Sequence, residues 1–436
     1  MTSPLPAFKL ERFFAQYEFV APYLLCCSDC QPLSMSEVLE LADAEAREMW
    51  KDLRLGYTET AGLPALREEI SKQYSTISKD DITVLAPEEG VYLAMRAVLR
   101  AGDSVVCTFP GYQSLYSIAK SMGCTITHWE PELMPVIRDK GKEAAAKSSC
   151  SATSLSFNVD ALLQILKASD SSTAPPVKMV IMNFPHNPTG FLPNHEDWSR
   201  LVEACKTRGC YLFSDEMYRG LELDASCRLP AACDCYDQAI SLCGVSKSLG
   251  LPGLRIGWLA SKAQVAAEDE LVYSAAAMSS NISPATGDHM NSVVTASLQS
   301  RVRELKDYTT ICSSAPSEVL SLIALRSADK IMHQHVTTIQ GNVEHAHKFF
   351  SLFPNMFEWQ PPVAGSVTFP RLTTGENIDA FCDRVVKGCG VLLLPSSVYD
   401  HPHSIERGNF RLGLGRSNAR ECFDRLREYL EKTKTI

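Results

Sequence analysis

An open α/β sheet with a ligand site along one edge is the architecture this sequence predicts, and two observations predict it. Short apolar runs recur between helical stretches: 82–85, 104–108, 177–183, 210–213, 239–245 and 256–260 each read as a buried strand. Four of these runs also deliver a chemically distinctive residue just past the carboxyl end: Tyr112, Asn187, Asp215 and Lys247. Open α/β sheets bind ligands outside the carboxyl ends of their strands. Four chemically complementary residues at four such ends are poorly explained as scaffold alone.

The segment 239–258, AISLCGVSKSLGLPGLRIGW, anchors the rest. Its apolar run breaks into Ser246-Lys247-Ser248 and the turn-rich Gly250-Leu251-Pro252-Gly253, and Arg255 follows eight residues after Lys247. A lysine at a buried strand end, among hydroxyls and near a guanidinium, suits Schiff-base chemistry with a carbonyl cofactor held by a phosphate. A lysine on a surface turn is the plainer reading, and the neighbouring motifs outweigh it. SKSLGLPGLRIGW resembles the lysine signature of fold-type I pyridoxal-phosphate (PLP) enzymes, the aspartate aminotransferase superfamily. FPGY at 109–112, NFPHNPTG at 183–190 and SDEMYRG at 214–220 extend the likeness in the expected order, over about 57–411.

The resemblance implies a three-layer α/β/α large domain with a mainly parallel sheet, spanning 51–318, and a smaller α+β domain built from 1–50 together with 319–436. It implies an aminotransferase that moves an amino group between an α-amino acid and a 2-oxo acid, with pyridoxal 5'-phosphate as cofactor and a homodimer as the working unit. Lys247 is then the Schiff-base lysine, Asp215 the partner of the protonated pyridine nitrogen, and Asn187 and Tyr218 the donors to the phenolic oxygen. Tyr112 stacks on the ring, worth ~1 kcal/mol. Arg255 and Ser246 hold the phosphate, and Tyr57 reaches across to the partner's phosphate. Arg411 pairs bidentately with the substrate α-carboxylate, a geometry that a guanidinium fork matches, while Arg407, Arg416 and Arg420 are competing candidates whose plainer reading is a solvated face.

Two departures stand out. The family often has a phosphate-binding serine three residues before the lysine; this chain has Gly244, which leaves Ser246 and Ser248 as the candidates to replace it. The phosphate cup usually has small residues where this chain has Pro87-Glu88-Glu89-Gly90. Proline has no N–H, and two carboxylates beside a phosphate repel it unless they turn away. Only the backbone amides of Glu88 and Glu89 are expected to serve there. Elimination and cyclisation enzymes on the same fold share these cofactor residues, so carbon–sulfur lyases, aminocyclopropanecarboxylate synthases and capreomycidine synthase-like enzymes are the rival reading.

Composition bounds the remainder. The chain has 436 residues, 45% hydrophobic and 21% charged, as expected of a globular protein with more than one domain. A net charge of −9 argues against a nucleic-acid partner. An apolar run of ~18 residues is lacking, so that no membrane span is expected. The first residues have neither an apolar secretory core nor an Arg-rich presequence, and a cytoplasmic enzyme is expected. The 16 cysteines are then buried thiols, and their clusters at 26–30 and 227–235 lack metal-site spacing, so no metal is expected. A helix is expected over 35–50. Segment 134–154, small and polar with no apolar stripe, and segment 263–300, rich in Ser, Ala and Thr with little charge, read as insertions, the second close to where the family forms its dimer seam.

Overall fold

The computed structural model describes residues 3–135, 153–170, 175–266 and 295–433. Its centre is a seven-stranded sheet. In chain order the strands are β1 (Ile82–Leu85), β2 (Ser104–Thr108), β3 (Thr125–Trp129), β4 (Val177–Asn183), β5 (Tyr211–Asp215), β6 (Ala239–Gly244) and β7 (Gly257–Ala260). They are arranged β1-β7-β6-β5-β4-β2-β3. Neighbours run parallel except at β7, which is antiparallel to both β1 and β6. β1, β6 and β7 are buried along their whole length, because helices cover both faces and leave no side for an alternating polar pattern. From β2 the chain continues to β3 on one side, and from β4 to β5 on the other. The direction reverses between β2 and β4, which places the crevice at their carboxyl ends.

The layers pack tightly enough to constrain single residues. The helix Pro87–Val98 lies so close to the sheet that a Cβ on Gly90 would stand 2.7 Å from Leu85 Cδ1 and 3.0 Å from Leu242 Cδ1. The segment 35–50, expected as one helix, forms two: Met35–Glu40 and Ala44–Lys51. Asp43 is the cause. Its carboxylate accepts the Ala46 amide at 2.8 Å and starts a new helix instead of continuing the first. Both helices pack beside Leu66, Ile70 and Ile82.

A second core lies under the three-stranded sheet of Val367–Thr368, Phe410–Gly413 and Leu394–Pro395. The helices Ala328–Leu352, Ile378–Cys389 and Ala419–Thr433 pack Phe349, Phe350, Phe381 and Phe423 into it. The apolar run 391–395 is divided between two ladders. Val391–Leu392 pairs in parallel with Tyr23–Leu24, and Leu394–Pro395 pairs with Phe410 and Arg411. The N-terminal helix Lys9–Tyr17 rests on this side, with Leu10 beside Phe369, Leu392 and Tyr399. Most of the two expected insertions, 136–152 and 267–294, lies outside the described residues. Their flanks are closed by antiparallel ladders, Glu132–Pro135 with Thr153–Ser156 and Gln264–Ala266 with Thr295–Ser297.

Among the described residues no helix is long and apolar enough to cross a membrane. The described cysteines are all free thiols.

Candidate active site

A cavity of about 650 Å³ opens at the carboxyl ends of the parallel strands. Lys247, Asp215, Asn187, Tyr218, Tyr112, Ser246, Arg255 and Glu88 all line it. Tyr57, Arg411 and Glu89 do not.

Lys247 leaves β6 through Val245-Ser246 and donates from Nζ to Ser28 Oγ at 3.0 Å. Burial lowers its pKa below the usual lysine range, and Asp29 partly opposes that shift. The shift is toward the neutral amine, the form that nucleophilic and proton-transfer chemistry needs. Asp215 ends β5 and is 6% exposed. Its carboxylate accepts the Met217 amide at 3.1 Å, and no basic side chain among the described residues forms an ion pair with it. Burial raises its pKa to about 7, Met217 acts against the rise, and Glu88 and Glu216 add to it. A buried carboxylate in this condition lacks a cation. Tyr218 is 3% exposed, and its phenol is raised to about 12 by burial.

The anion-binding end is assembled from backbone more than from hydroxyls. The amides of Glu88 and Glu89 open the helix Pro87–Val98 behind its N1 proline. Glu89 turns its carboxylate outward, accepting from Thr309 Oγ1 and, at 2.8 Å, from Thr310 Oγ1. Glu88 stays in the cavity wall, where its carboxylate accepts from Ser114 Oγ at 3.0 Å and burial raises its pKa. Ser246 Oγ is buried without a hydrogen-bond partner. Ser248 is buried too but lies outside the cavity. At Gly244, a Cβ would stand 2.9 Å from the Ile256 carbonyl oxygen and 3.0 Å from Gly257 Cα, because the two glycines face each other across the β6–β7 ladder. Strand approach therefore excludes any side chain there. Arg255 sits at the cavity edge with left-handed φ of 55°.

Arg411, on strand Phe410–Gly413, is 1% exposed and lies just behind the wall. Its Nε and Nη2 donate to the Cys26 carbonyl at 3.1 and 2.9 Å, and Nη1 donates to Asn187 Oδ1 and Tyr399 Oη, both at 3.1 Å. No carboxylate among the described residues pairs with this guanidinium. The Phe14 ring covers it at 5.9 Å. Tyr57, by contrast, is 89% exposed at the surface.

Several cavity residues carry no sequence signal of their own. Ser28, Asp29, Glu11, Glu18 and Phe14 come from the first 30 residues. Arg416, read as solvated, instead lines the cavity and grips Asp29 with Nε at 3.2 Å and Nη2 at 2.9 Å. His186 was hidden within the Asn-Pro-Thr-Gly turn. Its Nε2 donates to the Pro110 carbonyl at 2.9 Å and its Nδ1 accepts from Thr189 at 2.8 Å, joining the loops after β2 and β4. Burial lowers its pKa to about 3, so the ring is neutral as this pairing requires.

The donor set fits PLP. A buried carboxylate without a cation, a buried hydroxyl without a partner, free helix amides and a lysine of lowered pKa face one space. The fold is that of a fold-type I PLP-dependent enzyme. The family model described as aminotransferase class I and II matches residues 24–420, and the chain belongs to that family. It is similar to capreomycidine synthase from Streptomyces vinaceus, 24% identical over 318 residues, 73% of this chain and 67% of the relative. Among solved structures, a PLP-dependent aminotransferase from Streptococcus suis superposes with a TM-score of 0.76 at 22% identity, covering 99% of this chain and 98% of the other. The PLP-dependent cyclase OrfR superposes with a TM-score of 0.75 at 21% identity, covering 99% of each chain.

Proposed function

We propose that the protein is an aminotransferase acting on α-amino acids and 2-oxo acids, working as a homodimer. The observation that carries this reading is the convergence of Lys247, Asp215 and Asn187 on one cavity, with Arg411 held behind its wall by Asn187. Bound PLP supplies an aldehyde that condenses with amines and a ring that accepts electron density from Cα. Asp215 would keep the pyridine nitrogen protonated, and Asn187 and Tyr218 would donate to the phenolic oxygen. Arg255, Ser246 and the Glu88 and Glu89 amides would hold the phosphate, and Tyr112 would meet the ring. Arg411 orients the substrate through its α-carboxylate, once Phe14 yields that face. Lys247 Nζ would accept the substrate's Cα proton and hold it for return. Tyr57 completes the phosphate site of the partner subunit.

A second reading, elimination or cyclisation, is favoured by the names of two similar proteins, a capreomycidine synthase and a PLP-dependent cyclase. Product analysis separates them. A panel of amino donors is offered to the PLP-loaded enzyme with and without a 2-oxo acid. Transamination yields a new amino acid only when the acceptor is present. Ammonia release or a cyclised product without any acceptor overturns the first reading in favour of the second.

A further inference from the structure

The N-terminal helix Lys9–Tyr17 faces the cavity with Glu11 and Phe14, and Glu18 follows at its C-cap. Spacings of three and four residues put these side chains on one face. Phe14 lies over Arg411. The two glutamates therefore stand about one helical turn, ~5 Å along the axis, to either side of Phe14, the ring that covers Arg411. Neither has a basic partner among the described residues. Glu11 meets only the Tyr112 hydroxyl, at a long 3.5 Å. Burial raises the pKa of Glu18, with Arg416 acting against the rise. The one cavity arginine on this side that could meet a substrate carboxylate, Arg416, is already engaged fork to fork by Asp29. That the cavity binds a ligand rests on other grounds, the unpartnered Ser246 hydroxyl and the uncompensated Asp215.

We propose that Glu11 and Glu18 read the substrate side chain, and that the amino acid used here ends in a cation, a guanidinium or ammonium group. This rests on the function proposed above and deepens it. A cationic terminus supplies the charge that the two carboxylates lack and forms charge-assisted hydrogen bonds with them. A dicarboxylic amino acid brings a third carboxylate against the pair with no free arginine to receive it. Glu11 is exposed and Glu18 half-buried at the cavity wall, so a neutral side chain displaces their water without supplying a charge in its place.

The test uses the PLP-loaded enzyme and three probes: arginine, its neutral isostere citrulline, and aspartate. Affinity is read from the change in cofactor absorbance on titration, which needs no complete turnover, and kcat/KM is measured in parallel. Arginine is expected to bind at least ~30-fold more tightly than citrulline, from two charged contacts of modest strength, with aspartate weakest. In E11Q/E18Q the arginine-to-citrulline ratio should fall to within about threefold, since only uncharged contacts remain. E18Q alone should lose roughly half of the preference on a logarithmic scale, and keeps the test readable if the double variant folds poorly. The proposal is overturned if citrulline or aspartate matches arginine, or if the ratio survives in the variants; amino acid turnover in those cases leaves the proposed function standing. If no amino acid of any charge alters the absorbance, both readings fall together.

Discussion

Replacing Asp215 by Asn should act in opposite directions on the empty protein and on its cofactor. In the empty cavity the carboxylate is buried without a cation, and its pKa rises from the usual 3.8 to about 7. At about 1.4 kcal/mol per tenfold, that rise corresponds to about 4 kcal/mol of strain when the group is ionised. The sign follows from the direction. A carboxylate whose folded pKa is raised favours the folded state when protonated, so its stabilising contribution is present at low pH. That contribution is lost progressively between about pH 4 and pH 7, and the penalty is constant above. Asn removes the ionisation while keeping the shape. Cofactor-free Asp215→Asn protein should therefore melt higher than wild type at pH 8, by a few degrees for a chain of this size. The difference should shrink toward pH 4. With PLP added the order reverses, since the pyridinium has lost its partner. Breaking one side of a buried ion pair costs about 3–5 kcal/mol, roughly two to three orders of magnitude in Kd. Calorimetric melting of the stripped proteins from pH 4 to pH 8, with PLP titration at pH 8, checks both halves. A variant that melts below wild type at pH 8 and still binds PLP equally well would falsify the pairing of Asp215 with the ring.

Other perturbations follow from the same geometry. Lys247→Ala loses only the hydrogen bond to Ser28 and should stay folded, yet turnover should drop by at least ~10²-fold, the lower range for a positioned acid–base group; retained steady-state rate would remove the lysine from the mechanism. Arg411→Lys keeps the charge but loses the fork, so KM should rise on the order of tenfold for every donor and acceptor alike, and an effect limited to one substrate would instead make Arg411 a side-chain reader. Mixing inactive Tyr57→Ala with inactive Lys247→Ala protein should restore activity, because one of the two sites in a mixed dimer carries neither defect. Absence of recovery after verified subunit exchange counts against a shared site.

Legibility in the sequence followed the range of the interactions. Six of the seven central strands are legible as apolar runs, and a run is a local property; the edge strand Thr125–Trp129, TITHW, is too polar to show as one. The residues at their ends sit inside short motifs whose order along the chain is itself a signal. The contacts between the first 30 residues and the last 40 leave no such trace: Arg416 and Asp29 are 387 positions apart, and an arginine late in the chain looks solvated until its partner is known. The break at Asp43 was missed because the apolar spacing of the two short helices runs on across it, while the cap that separates them depends on one side chain. His186 was passed over because a histidine in a turn-rich motif has no distinguishing pattern, and only the fold brings Pro110 to it.

The facing pair Gly244 and Gly257 also bears on how this site can change. A hydroxyl at position 244 is not one substitution away: a Cβ on Gly244 meets the adjoining strand at 2.9 Å, and one on Gly257 meets the Cys243 carbonyl oxygen at 2.7 Å and Pro87 Cγ at 2.9 Å. Pro87 in turn begins the helix whose amides serve the anion end. The strand spacing, the proline and the absent serine are thus coupled, and a lineage or a designer wishing to exchange one must cross intermediates in which the others no longer fit. Ser246, whose backbone is free of this constraint, is the position where the anion site can be tuned by single steps.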